Sequence, residues 1–292
     1  MVLVMGSVEN SKTVAGGYGL GSTSRELCFP YGLAFDDDQT MIIADWGNHR
    51  IVRWKIRDTN GQVIAGGNGQ GNELNQLNCP TDLLIDKQTN SLIICDHGNR
   101  RVVQWSRVDG TTEGKILLDD ITCWGLAMDN QRYLYISDIE KNEVIRYHME
   151  DNNRTIVAGG HERGFGLDQL NGPTYIFVDQ HQTLYVSDTW NHRVMKWDKD
   201  ATEGSIIVRG FPRGLFVDVK GDVYVADYGS HQLICWPKGE TKGTVIAGGN
   251  AGGEEANQLY YPWGLSSDRQ GNLYVADHSN HRIQRFPVKQ TN

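Results

Sequence analysis

The segment IIADWGNHRIVRW, Ile42 to Trp54, is written six times along the chain with variations: IICDHGNRRVVQW, YISDIEKNEVIRY, YVSDTWNHRVMKW, YVADYGSHQLICW and YVADHSNHRIQRF follow it. Each copy runs β-branched or aromatic residues into an Asp, then a polar turn, then a second apolar run, the pattern of strand, tight turn, strand. The six aspartates, Asp45, Asp96, Asp138, Asp188, Asp227 and Asp277, stand 51, 42, 50, 39 and 50 residues apart. Such a period without helical spacing specifies propeller blades of about four strands each.

The remaining strands bear this out. A first strand precedes each pair: GLAFD (32–36), DLLID (82–86), GLAMD (125–129), YIFVD (175–179), GLFVD (214–218) and GLSSD (264–268). A fourth strand follows only five of the pairs, while TVAGG (13–17) precedes the first blade without a blade of its own. The expected fold is all-β, a six-bladed β-propeller with four antiparallel strands per blade, closed by the N-terminal strand. The blades lie at 30–67, 80–119, 123–160, 173–210, 212–249 and 262–288 plus 12–17, as one domain over 1–292. Closure removes the sheet edges that would invite aggregation. Long Gly-rich connections such as 66–80 and 159–173 lead into four blades, and short ones into the blades that begin near Trp124 and Arg213.

Three further signs are Pro-x-Gly-Leu-x-x-Asp, Tyr-Val-Ala-Asp-x-x-Asn-His-Arg, and an aromatic nine residues after the Asp. Together they resemble the NHL repeat family of six-bladed β-propellers, over roughly residues 12 to 288. The third copy departs with KNE (141–143) and the fifth with SHQ (230–232). The resemblance implies the fold more than the function, since the family includes protein-binding and RNA-binding modules, and related propellers include lyases, hydrolases and synthases. Related amidating lyases hold zinc with histidines at the channel mouth. The corresponding ring here has no His.

Charge and composition narrow the partners. A net charge of −8 argues against binding carried by phosphate neutralisation, so nucleic acid is not an expected partner. No run approaches the ~18 apolar residues of a membrane helix, and MVLVMGSVEN lacks the basic region and cleavage pattern of a signal peptide. Compartment and oligomeric state stay open. The five cysteines, Cys28, Cys79, Cys95, Cys123 and Cys235, are odd in number and contain no CxxC, which argues against a disulfide framework and a structural zinc site. Cys95 reads as a small buried residue, where other copies carry Ala or Ser.

Residues that recur in nearly every copy read as architecture. The strand-ending Asp is expected to bond the backbone of the turn after it. Arg50, Arg101, Arg193 and Arg282 are expected to pair with carboxylates between strands or blades, and Trp54, Trp105, Tyr147, Trp197, Trp236 and Phe286 to pack between blades. His49, His192, His231 and His281 hold one turn position spread around the ring, so they do not converge on an ion. GNGQG (67–71) lacks the Lys-Ser/Thr of a phosphate loop and opens no helix. No metal or cofactor is expected.

Four tryptophans remain after this subtraction: Trp46, Trp124, Trp190 and Trp263. All fall in segments that open on one face of a propeller. The position entering each first strand should ring the channel mouth with Tyr31, Thr81, Trp124, Thr174, Arg213 and Trp263, and the position after each Asp should add Trp46, His97, Ile139, Thr189, Tyr228 and His278. In this arrangement His278, Trp46 and His97 form an arc, with the Glu140 carboxylate nearby. The candidate binding residues are therefore Tyr31, Trp46, His97, Trp124, Glu140, Trp190, Arg213, Tyr228, Trp263 and His278. Aromatics around one Arg and a few polar groups suit a protein segment or a small molecule. The alternative is a lyase, hydrolase or condensing enzyme at the same mouth, with His97 or His278 as general base and Glu140 or Arg213 polarising the substrate. A structural alternative also stands, in which these rings merely plug the channel.

Overall fold

The structure is a computed structural model in which residues 4–5, 11–249 and 251–289 are described. Six antiparallel four-stranded sheets surround a common axis. Blade 1 consists of Pro30–Phe35, Thr40–Asp45, Arg50–Lys55 and Gln62–Gly66. Blades 2 to 5 repeat that order from Pro80–Asp86, Cys123–Met128, Pro173–Val178 and Pro212–Val217. Blade 6 takes Pro262–Ser267, Leu273–Asp277 and Arg282–Phe286 from one end of the chain and Lys12–Gly16 from the other, with Ala15 opposite Ile283. The ring closes as the count of fourth strands requires.

The core is divided among the gaps between blades because each sheet buries both faces. Ile42, Ala44 and Ile51 of blade 1 pack on Leu92, Ile94 and Trp105 of blade 2, and five further clusters fill the other gaps in the same way. The repeated aromatics are the largest members, and Trp54, Tyr147, Trp197 and Phe286 are no more than 2% exposed. Burial of such rings is the dominant favourable contribution to blade docking.

The turn after each second strand determines how the loops at the mouth are held. Asp45 accepts the Cys28 N–H at 2.7 Å, the Asn48 amide at 2.8 Å and Arg50 Nε at 2.7 Å. Arg50 then donates to the carbonyls of Ser22, Thr23 and Glu26, and Asn48 to that of Gly21. Arg101, Arg193 and Arg282 do the same to the loops entering blades 2, 4 and 6. The ion pairs the sequence suggested thus lie within one turn, and the Arg reaches loop carbonyls rather than other blades. Among the described residues, only in blades 3 and 5 does the Asp bond backbone N–H groups of its own turn: Asp138 holds those of Glu140 and Lys141, and Asp227 that of Ser230.

The last turn residue ties each blade to the next. His49, Asn142, His231 and His281 adopt φ of 52°, 56°, 60° and 53°, which aims their side chains across the gap. Nδ1 of His49 accepts the Cys79 N–H at 3.1 Å, that of His231 the Tyr261 N–H at 3.1 Å, and that of His281 the Phe29 N–H at 3.2 Å. Asn142 Oδ1 accepts the Gly172 N–H at 2.9 Å. Every long entry loop is therefore gripped twice, by the Arg of its own blade and by a His or Asn of the blade before.

The cysteine expectation requires correction. Cys95 of blade 2 and Cys123 of blade 3 form a disulfide, with Cα atoms 5.8 Å apart. The odd count leaves Cys28, Cys79 and Cys235 free, but it never excluded one bridge. Cys123 stands where five other blades begin with Pro, directly across the gap from Cys95.

Candidate functional site

A β-bulge recurs in every blade where the first strand leaves the mouth. Pro30 pairs with Asp45 and Leu33 with Ile43, so two residues, Tyr31 and Gly32, oppose one, and equivalent shifts occur in the other five blades. Bulges re-aim a side chain out of the pleat, and here they turn the mouth residues inward. The Gly that follows permits close approach: a Cβ at Gly264 would strike the Tyr31 carbonyl, and one at Gly32 would strike Thr81 and Asp82.

Rings from five blades fuse into one cluster at this mouth. Tyr31, Tyr175 and Trp263 form its buried floor, at 7%, 6% and 7% exposure, with Phe29, Trp46, Trp124 and Tyr228 half-buried around them. Tyr31 is central, with centroids 4.4 Å from Trp263, 5.0 Å from His278, 5.5 Å from Trp46 and 5.7 Å from Trp124. Trp124 and Trp263 stack at 5.5 Å, and His97 meets the Trp124 ring edge-on at 4.9 Å. The Arg213 guanidinium lies 4.4 Å over Trp263 and 4.9 Å over Tyr228. Flat contacts between cation and ring are favourable and strengthen with desolvation.

The mouth carries unmatched donors. Trp124 Nε1, Trp263 Nε1 and Arg213 Nε are buried with no hydrogen-bond partner among the described residues. Among the described residues no carboxylate pairs with Arg213, and its electrostatic neighbours are the phenols of Tyr228, Tyr31 and Tyr175, while burial lowers its pKa. Burial pushes His278 down to about 3, which makes it a neutral imidazole at physiological pH. His97 is also lowered, by burial first, and its Nδ1 lies 2.9 Å from the Cys123 carbonyl, which leaves Nε2 as the free nitrogen.

Most of the ten candidate residues come together, and two stand apart. The arc runs from His278 through Tyr31 to Trp46 and, by way of Trp124, to His97. Glu140 is exposed and engaged with Arg100 and Thr122. Trp190 is 50% exposed and lies over Gly172, because it follows Asp188 by two positions and the first position is Thr189. Thr189 turns inward instead, bonding Thr174 and the Pro212 carbonyl.

Two channel residues escape a reading based on the mouth rings alone. Asp82 and Tyr175 replace the Gly of the other four blades; Tyr175 packs with Tyr31 and Trp263, and Asp82 reaches across to blade 3. Asp82 accepts the N–H groups of Leu83 and Leu126, both at 2.9 Å, and burial raises its pKa to about 7. The signal was the break in the x-Gly pattern at TD (81–82) and TY (174–175). Two clefts elsewhere, of about 1120 and 420 Å³, lie between the strands of blades 3 to 5 and are lined by none of the ten candidates.

Residues 36–209 match the model of a family described as 6-bladed beta-propeller, and residues 210–236 and 259–286 match the NHL repeat. The chain belongs to that six-bladed β-propeller family and carries NHL repeats in its last two blades. No curated protein matches it in sequence. Similar solved structures include an auxiliary nutrient binding protein from Bacteroides thetaiotaomicron VPI-5482, 16% identical, with a TM-score of 0.73 over 96% of this chain and 76% of that one. Another is XC5397 from Xanthomonas campestris, described as a gluconolactonase, at 14%, 0.69, 99% and 98%. A streptogramin B lyase gives 11%, 0.63, 96% and 97%. At these identities the likeness is one of fold. Among the described residues no helix is long and apolar enough to cross a membrane.

Proposed function

We propose that this propeller binds a ligand, a small molecule or a segment of another protein, on the aromatic mouth of its channel. The observation that carries the reading is Arg213, a cation without an anionic partner among the described residues, held against Tyr228 and Trp263 in a ring cluster that includes half-buried Trp46 and Trp124. A plug needs apolar area alone, and an unpaired guanidinium is a costly filler. Tyr31, Tyr175 and Trp263 form the buried floor, and the half-buried rim offers the contact surface. Fold neighbours are described as binding proteins and as enzymes, so the fold is compatible with either. His278 favours binding over catalysis, since an imidazole of such low basicity is a weak general base.

A thermal-shift screen tests the reading, because a ligand of the folded state raises its melting temperature by mass action. Hits on the wild type should vanish in Trp46→Ala, whose own melting temperature stays near that of the wild type. Hits that persist undiminished in Trp46→Ala and Trp124→Ala would remove the mouth as the site. Trp263→Ala is a poor probe because truncating a buried Trp costs about 3–5 kcal/mol.

A further inference from the structure

We infer that the ligand of the mouth is a small monocarboxylate on a flat apolar body, its carboxylate on Arg213 and its body against Trp46 and Trp124. The inference rests on the mouth being a binding site and adds the chemistry of what binds there.

The first argument is a mismatch of donors and acceptors. Arg213 Nε, Trp124 Nε1 and Trp263 Nε1 are buried N–H donors without acceptors, and Trp263 is 7% exposed. Arginine and indole have no acceptor capacity, so these groups can be satisfied only by an acceptor from outside. Donors left unmatched in a desolvated place cost far more than a typical hydrogen bond contributes.

Charge then selects among acceptors. Arg213 has no carboxylate partner among the described residues, and the His278 beside Tyr31 is neutral. The mouth thus has one positive charge in a chain of net charge −8. A polyphosphate or nucleic acid would meet one guanidinium and long-range repulsion, whereas a single carboxylate matches the guanidinium and leaves no surplus charge. A cationic ligand is disfavoured too. Glu140 is occupied by Arg100, and Asp82 is buried with both oxygens on backbone N–H groups.

The surround fixes the rest of the ligand. Tyr228 and Trp263 face the guanidinium, and Trp46 and Trp124 extend the same ring cluster from Tyr31 and Trp263. An apolar, preferably flat, body buries against them, and a bare small anion would leave that area unused.

Isothermal titration of 3-phenylpropionate, 3-phenylpropionamide and 3-phenylpropylamine tests this, since the three differ in head group alone. In the wild type the acid should bind at least roughly tenfold more tightly than the amide, as expected for a charge-assisted pair, with the amine weakest. Arg213→Gln should bring the acid down to the level of the amide and move the amide by no more than about twofold. Trp46→Ala should weaken acid and amide by a common factor. Raising the salt should erode only the acid's advantage in the wild type, a readout that does not depend on Arg213→Gln folding. Equal affinity of acid and amide, an acid preference that survives Arg213→Gln, or a preference for the amine would overturn the carboxylate. If Trp46→Ala still weakened both, the mouth would stand as a binding site for a neutral ligand. No binding of any of the three would also overturn the carboxylate inference, and the broader screen would then decide the mouth by itself.

Discussion

Blades 1, 2, 4 and 6 differ from blades 3 and 5 in one position that governs much else. In the first group an Arg five residues after the strand-ending Asp is 3–7% exposed and bonds both the Asp and three carbonyls of a long entry loop. In the second group that position is Glu143 or Gln232 and the entry loop shrinks to a few residues. Loop and clamp come and go together. A loop of a dozen residues carries many backbone carbonyls, and a buried Arg is the side chain that can satisfy several of them while neutralising an Asp. Where the loop is short, an Arg would have nothing to hold. The two unclamped blades are also those whose first strands deliver Trp124 and Arg213 to the mouth. The molecule keeps its entry path shortest where those two side chains must be aimed.

The comparison breaks first at the clamp. Arg193→Met would leave Asp188, fully buried, without its cation, and the carbonyls of Phe165, Gly166 and Gln169 without their donors. Removing one member of such a pair costs about 3–5 kcal/mol. Gln232→Met at the same register of blade 5 should cost under about 1 kcal/mol, as for a site outside any network. Urea unfolding of both variants measures the difference. Equal losses would show that the Arg is no more than ordinary packing.

This contrast also marks how far the sequence could be read. Sixfold repetition made strand order, blade number and ring closure legible, because a fault in one copy is corrected by five others. The mouth rings followed from register, which places Tyr31, Trp124, Arg213 and Trp263 at one level. What resisted reading depends on distances between neighbouring copies. His49, His231 and His281 recur like architecture, yet their partners are backbone N–H groups some thirty or more residues away in the next blade. The disulfide was hidden for a related reason. Cys95 replaces Ala or Ser and Cys123 replaces Pro, and only two off-pattern residues in adjacent blades, taken together, would have pointed to it. Asp82 and Tyr175 stand at the Gly position itself, one residue beyond the ring that register marks out, where a side chain breaks the repeat instead of following it.

The disulfide sharpens the comparison at the second level. Blade 3 lacks the clamp, and Cys95–Cys123 crosses the same gap into it that a gripped loop would secure elsewhere. With a sequence separation of 28 residues, the chain-entropy argument gives about 3–4 kcal/mol. Cys95→Ala combined with Cys123→Ser should lose about that much, and adding a thiol reductant to the wild type should reproduce the loss. A double variant as stable as the oxidised wild type would mean that blade 3 needs no substitute for the clamp.

The smallest effect concerns the second grip on the long loops. Burial lowers the pKa of His49, His231 and His281, and a protonated Nδ1 cannot accept the loop N–H. Because the folded pKa lies below the unfolded value of about 6.5, the unfolded chain binds more protons just below that pH. The stability due to these histidines is therefore complete above about pH 6.5 and declines as the pH falls through the folded values. Blade 3 shows how to remove the titration without removing the grip, since Asn142 makes the same bond from the same left-handed backbone. The triple variant His49→Asn, His231→Asn, His281→Asn should gain stability relative to the wild type as the pH is lowered from about 7 to about 5. A constant offset from lost contacts between these histidines and Phe29, Tyr260 and Tyr261 does not affect that slope. The raised pKa of Asp82 is common to both proteins and cancels in the difference. Parallel stability curves across that range would show that the histidines hold the loops by packing, and that the long-loop blades are distinguished by the Arg clamp alone.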